Sequence, residues 1–392
     1  MPTAGTPYNF SDIIAAKIGF WKDNTTKFQK VLREYFQVDN IRLVNSGTTA
    51  CYLLLLHLKS IRKHDKQTEI IITNYTAPSL LLPIQKAGLE CVVVDISIDD
   101  FNIDLTQIEN TISDKTLAIM PIHMFGIPTN MKPILEIAKQ QNIFLIEDAA
   151  SSLGSKIDNL HTGTIADFGF YSLNRGKNIS TLSGGIISWK DEKYTQSIDK
   201  LINNLPILSL KQKVKMLFRF FALTLAVRPF FYTILQSMIS RFKYTSLHED
   251  FDSYVFTTFQ VNLGVNLWKR VDKIMDARLQ NGKELTKIFY KIQGVKISKS
   301  KFQVVYNQFP ILIDDLVKRE NLEKALLLKG IETSRLYEKT LHQIYPEKIK
   351  NSNHKFPNSK YLAEHLLLIP PHPQIKEKYV EIIQETVTQI FK

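Results

Sequence analysis

Between residues 41 and 148 the chain keeps one rhythm: a short apolar run, a loop of small or polar residues, then an apolar helical stretch. Ile41–Val44, Glu69–Ile72, Cys91–Asp95, Leu117–Ile122 and Ile143–Ile146 are the runs. Helical patterns at 51–58, 80–87 and 131–140 lie between them. Repeated units of this length predict an α/β fold with a mostly parallel sheet and helices on both sides. Ile143–Ile146 is apolar throughout, as expected of a strand covered on both faces. Sheets of this kind carry their working loops at the carboxyl ends of the strands. Thr48, Asn74, His123 and Asp148 each follow such an end and are expected on one edge.

The chain's 392 residues are enough for two domains. The expected division is 1–256 as a large domain and 257–392 as a bridging helix, about 257–290, plus a smaller C-terminal α/β domain. A loop of low order is expected at 343–356, rich in Lys, Asn, His and Pro. The net charge of +12 suits an anionic substrate, nucleic acid or an acidic membrane surface, and chooses none of them. Cys51 and Cys91 are the only cysteines and both lie in apolar surroundings, so neither a disulfide framework nor a cysteine-rich metal site is implied. The first residues lack the charged and apolar regions of a secretory signal. No uncharged apolar run reaches the roughly 20 residues that span a bilayer. The reducing cytoplasm is the expected compartment.

The chemistry concentrates around residues 144–185. A lysine in a loop is usually a solvated charge, so Lys177 gains meaning only from its neighbours. Asp148 ends an apolar strand, where an unpaired carboxylate is costly. Asn45-Ser-Gly-Thr-Thr-Ala50 joins a strand to a helix, a place where free N–H groups and the helix dipole favour an anion. Taken alone it reads more readily as an ordinary capped helix. Ser172 adds a hydroxyl five residues before Lys177. Together these are the parts that hold pyridoxal phosphate (PLP). Asp148 would face the pyridinium nitrogen, Gly47, Thr48, Thr49 and Ser172 the phosphate, and Lys177 the aldehyde carbon, where it would form an imine.

In this order the motifs resemble the DegT-type sugar aminotransferases over nearly the whole chain. The resemblance rests on Val44–Ala50, Val92–Asp95, Pro121–Gly126, Ile146–Ala150, Gly163–Asp167, Ser172–Gly185, Thr258–Arg278, Gly330-Ile331 and Phe356–Lys360. It implies a fold-type I PLP-transferase. Lys177 would be the Schiff-base lysine and proton shuttle, and Asp148 the partner of the ring nitrogen. Ser151 stands where the family often has a glutamine on the ring's phenolic oxygen. The implied reaction moves an amino group, expected from glutamate, to a keto sugar of a nucleotide-sugar for cell-surface polysaccharide. The partners are that nucleotide-diphosphate sugar, the amino-acid donor and a second copy in a homodimer, with no nucleic acid. Lysine at 177 argues against the dehydratase branch, where histidine takes this place. Three positions depart from the pattern. Ala77 replaces the usual ring-stacking aromatic, the family's cross-subunit phosphate asparagine falls near Ser253, and Leu173–Gly176 replaces a Phe-His pattern.

Residues 201–248 hold seven Lys or Arg, no Asp or Glu, and long apolar runs. This basic-apolar insertion suits a peripheral contact with an anionic membrane, or equally a helical hairpin packed on protein. Two other readings of the chain therefore stay open. One is transamination of a cyclitol or other non-nucleotide ketone. The other is a membrane-associated protein of this fold with little catalysis.

Overall fold

The computed structural model describes residues 5–19, 21–226, 249–375 and 377–392. Twelve strands are present in these regions: β1 (Asn40–Val44), β2 (Glu69–Thr73), β3 (Glu90–Val94), β4 (Thr116–Ile119), β5 (Phe144–Asp148), the short hairpin β6 (Lys156–Ile157) and β7 (Leu160–His161), β8 (Phe168–Ser172), β9 (Gly185–Trp189), β10 (Val295–Ile297), β11 (Phe309–Ile313) and β12 (Leu366–Ile369). Seven of them form the main sheet in the order β1-β9-β8-β5-β4-β2-β3. All run parallel except β9, which is antiparallel to both β8 and β1. The expected mostly parallel α/β sheet is what forms.

Both faces of the sheet are covered, and the alternation of side chains along each strand shows how. Ile70 and Ile72 of β2 join one buried cluster with Leu54, Leu55 and Leu58 of the Gly47–Ile61 helix. Ile71 between them points the other way, into a cluster with Ile134 and Ile137 of the Met131–Gln141 helix. This is the period-two rule of a strand applied twice. A smaller antiparallel sheet, β10-β11-β12, is covered by the helices Leu316–Leu328 and Glu377–Phe391 through Leu322, Leu326, Ile383 and Val387. Its apolar residues belong to the same buried cluster as β2 and the Gly47–Ile61 helix.

Two expectations need correction. The long bridging helix is two helices, Thr258–Trp268 and Val271–Phe289. The chain leaves helical geometry at Arg270 (φ −132°), whose guanidinium reaches the buried Asp12 (Nη1–Oδ1 3.0 Å) and the Pro7 carbonyl (2.9 Å). A charge pair with a partner 258 residues away overrides a continuous helical pattern. The supposed loop of low order at 343–356 is built in. Lys350 N–H donates to the Cys91 carbonyl (3.0 Å), and the Asn351 side chain both accepts from Val93 N–H (3.0 Å) and donates to its carbonyl (2.7 Å). It covers the exposed edge of β3, which otherwise offers free backbone groups to another chain. Of the basic-apolar segment, Leu210–Ala226 is a helix, and residues 227–248 lie outside the described residues.

Candidate active site

The parallel order brings the ends of β1, β5 and β8 and the start of β9 to one edge. Ser46 caps the Gly47–Ile61 helix by accepting from Thr49 N–H (3.0 Å). That leaves the Gly47 and Thr48 N–H groups without an acceptor in the helix. Ser172 closes in from β8: a Cβ placed on Gly47 would lie 2.9 Å from the Ser172 Cβ and 3.3 Å from its Oγ. Only glycine lets the hydroxyl sit against this helix start. Gly47→Val is expected to cost about 1–3 kcal/mol in overpacking and to weaken retention of a bound phosphate ligand about ten-fold. Equilibrium dialysis with absorbance readout measures this.

Lys177 follows a turn in which its N–H donates to the Asn174 carbonyl (3.2 Å), with Gly176 at φ +83°. That left-handed conformation suits glycine. The Lys177 Nζ donates to Ser151 Oγ (2.9 Å). Burial pushes the amine's pKa down, against the opposing pull of Asp148. Burial likewise pushes the Asp148 carboxyl up, outweighing Ala150 N–H, Lys177 and His123. Asp148 Oδ1 accepts from Ala150 N–H (2.9 Å), and Oδ2 has no hydrogen-bond partner among the described residues. Both charged forms are thus held short of solvation, and a cation set against Asp148 would relieve its share.

Behind this edge lies a second carboxylate. Glu147 points to the opposite side of β5 and is fully buried. It accepts from the N–H groups of Gly163 (2.8 Å), Ile165 (2.6 Å) and Ala166 (2.6 Å) and pairs with His123 Nε2 (2.9 Å). Thr129 N–H donates to His123 Nδ1 (3.0 Å). With Nδ1 accepting, the ring proton sits on Nε2, and a neutral imidazole donates to Glu147.

Gly47, Thr48, Asp148, Ser172 and Lys177 line one cavity of about 680 Å³, within the usual size of small-molecule sites. A model of the DegT/DnrJ/EryC1/StrS aminotransferase family matches residues 11–215 and 243–388. The chain belongs to that family. An uncharacterised protein of Methanocaldococcus jannaschii is 27% identical over 93% of this chain and 89% of its own. GDP-perosamine synthase of Escherichia coli O157:H7 is 34% identical, over 42% of this chain and 44% of that enzyme. The chain thus matches less than half the length of that named relative. The solved structure of Helicobacter pylori PseC, an aminotransferase involved in the biosynthesis of pseudoaminic acid, superposes with a TM-score of 0.79. It is 18% identical and covers 100% of this chain and 98% of that one.

Family membership makes the chain an enzyme of the aminotransferase class, with PLP as its cofactor. The residues present fit that group. Backbone N–H groups and a hydroxyl form a glycine-tight cradle suited to an anion, Asp148 Oδ2 has no donor among the described residues, and an amine stands in the same cavity. Of the other expected site residues, Ser151 acts on Lys177 and is not on the cavity wall. Thr49 is turned away. It is fully buried, and its hydroxyl meets Ser46 Oγ (3.0 Å) and Ser253 Oγ (3.2 Å). Ser253, near which the family's cross-subunit asparagine was expected, is tied to Thr49 of its own chain. Asn74 and His123 follow strand ends as expected, but their side chains serve structure, Asn74 by pairing with His342 (2.8 Å).

Ala77 does line the cavity, and the aromatic residues on its wall are Phe170 and Tyr337. Burial, with Asp148's charge adding to it, holds the Tyr337 hydroxyl well above its ordinary pKa. Asn307, Gln308, Glu332, Arg335 and Tyr337 come from the C-terminal part and were not foreseen. The one signal for them was Gly330-Ile331, which marks the turn leading into Glu332.

Proposed function

We propose that this chain is a PLP-dependent aminotransferase that takes an amino group from an amino-acid donor, glutamate, and passes it to a keto sugar carried on a nucleotide diphosphate. The observation that carries this reading is the amine of Lys177 in one cavity with Asp148 and the Gly47–Thr48–Ser172 cradle. PLP, when bound, supplies an electron sink for the carbon that bears the amine. Gly47 and Thr48 N–H and the Ser172 hydroxyl would hold its phosphate. Asp148 would pair with the ring nitrogen. Lys177 would hold the group covalently through Nζ, and as a free amine Nζ would accept and return the substrate proton. Its lowered pKa enlarges the neutral, base-competent fraction near neutral pH. Ser151 Oγ, bonded to Nζ, orients that amine.

Donor and sugar occupy the same cavity in turn, so one set of anion contacts serves both. Arg175 stands on the cavity wall, exposed, with no ion pair among the described residues. It suits the donor carboxylate and then the diphosphate. Arg335, also on the wall, is already paired with Glu323 (2.7 Å). An amino sugar of this kind would serve as a building unit of cell-surface polysaccharide. An amine at 177, rather than the imidazole of the family's dehydratase branch, favours aminotransfer.

The half-reaction tests the substrate class. The enzyme carrying the donated amino group is mixed with keto sugars on nucleotide diphosphates, and the return of its absorbance to the PLP form is followed. Conversion by at least one of them, and none by a keto cyclitol, is expected. Conversion of the cyclitol alone would overturn the nucleotide-sugar assignment.

A further inference from the structure

We infer that the exposed face of the Leu210–Ala226 helix docks on the anionic phospholipid surface of a membrane, independently of the aminotransfer reaction. One side of this helix is already used. Phe220 is fully buried, with its ring against Tyr8 (centroids 5.2 Å apart) and Phe259 (5.7 Å), and Met216 and Leu217 pack beside it. The adjoining side, about 100° round the helix, carries Leu210, Val214, Phe218 and Phe221, 69, 52, 72 and 46% exposed. At helical spacing these four share one stripe. Lys211, Lys215 and Arg219, all exposed, fall at the same four-residue spacing along one border of it. A stripe of apolar residues edged by cations is the pattern of a helix lying in a bilayer interface. Among the described residues no helix is long and apolar enough to cross a membrane; the contact proposed is a peripheral one.

Charge decides between occupants. A two-fold interface sets the same patch against itself. Here that would bring the three cations toward their own copies, and the whole stretch from 201 to 248 contains no carboxylate to offset them. An anionic lipid surface complements the same charges, at about 1 kcal/mol for each Lys or Arg near it. The family model also skips residues 216–242, so this part of the chain is additional to the shared aminotransferase framework.

The test uses the full chain loaded with PLP. It is sedimented with vesicles of phosphatidylglycerol mixed with phosphatidylcholine, and with phosphatidylcholine alone. Binding to the anionic vesicles is expected, falling steeply with salt. Lys211→Ala/Lys215→Ala/Arg219→Ala should weaken it about 100-fold, and Phe218→Ser about ten-fold. Both variants should keep their PLP content and Tm, which separates a lost surface from a lost fold. Equal binding to phosphatidylcholine alone, no binding, or binding that neither variant changes would each overturn the proposal. Variants that split a dimer while vesicle binding persists would give the face to a second copy. Protection of Phe218 and Phe221 from hydroxyl-radical labelling without vesicles would show the chain covering it.

Discussion

Lys177→Ala should lose aminotransfer by at least about 10²–10⁴-fold, the share that proton transfer alone supplies, and with it the absorbance of lysine-bound PLP. Lys177 is the only lysine on the cavity wall among the described residues, so no neighbouring amine can take over. The protein should still fold, because the amine is desolvated and its one side-chain hydrogen bond goes to Ser151. Lys177→Arg separates chemistry from charge. Arginine keeps the cation but stays protonated in proteins, so it can neither bond the cofactor nor accept a proton. It should be as inactive as alanine. Activity in Lys177→Arg would mean that position 177 supplies charge only. Steady-state kinetics and an absorbance spectrum of each variant read both quantities.

Glu147→Ala should destabilise the protein by about 3–5 kcal/mol, the cost of breaking a buried, fully bonded charge. Its carboxylate is the acceptor for three backbone N–H groups and for His123, and alanine leaves all four donors buried and unpaired. Glu147→Gln should recover only part of the loss, since its amide NH₂ would face donors on one side. Urea unfolding of the PLP-free protein measures this without interference from the cofactor. Because β5 carries Glu147 and Asp148 side by side, both variants should also bind PLP more weakly. Unchanged stability in Glu147→Ala would contradict the picture of this carboxylate as the fixing point of residues 163–166.

The sheet and the core of the site were legible because they depend on local pattern. Apolar runs followed by small polar loops place Thr48 and Asp148 after strand ends, and a parallel sheet gathers those ends on one edge; Ser172 shows in the sequence only as a hydroxyl five residues before Lys177. What was not legible depends on partners remote in sequence. Thr48 and Thr49 are adjacent, but successive helical residues point about 100° apart. Thr48 faces the cavity, while Thr49 meets Ser253, 204 residues on. Asn74 looked like a site residue until His342, 268 residues away, claimed it. The break at Arg270 follows from Asp12, and the ordering of 349–351 from the edge of β3. Glu147 passed unnoticed beside Asp148 because strand alternation sends it to the opposite side, and its partners in 163–166 are set by tertiary fold rather than by pattern.

Lys177 is proposed to carry the cofactor in the cavity it shares with Asp148. Borohydride reduction of the PLP-loaded full chain turns that link into a stable secondary amine, and peptide mass spectrometry then finds it. The added mass should appear on the peptide containing Lys177 and nowhere else. The same mass on another lysine, or an active enzyme that takes up no label, would contradict the account.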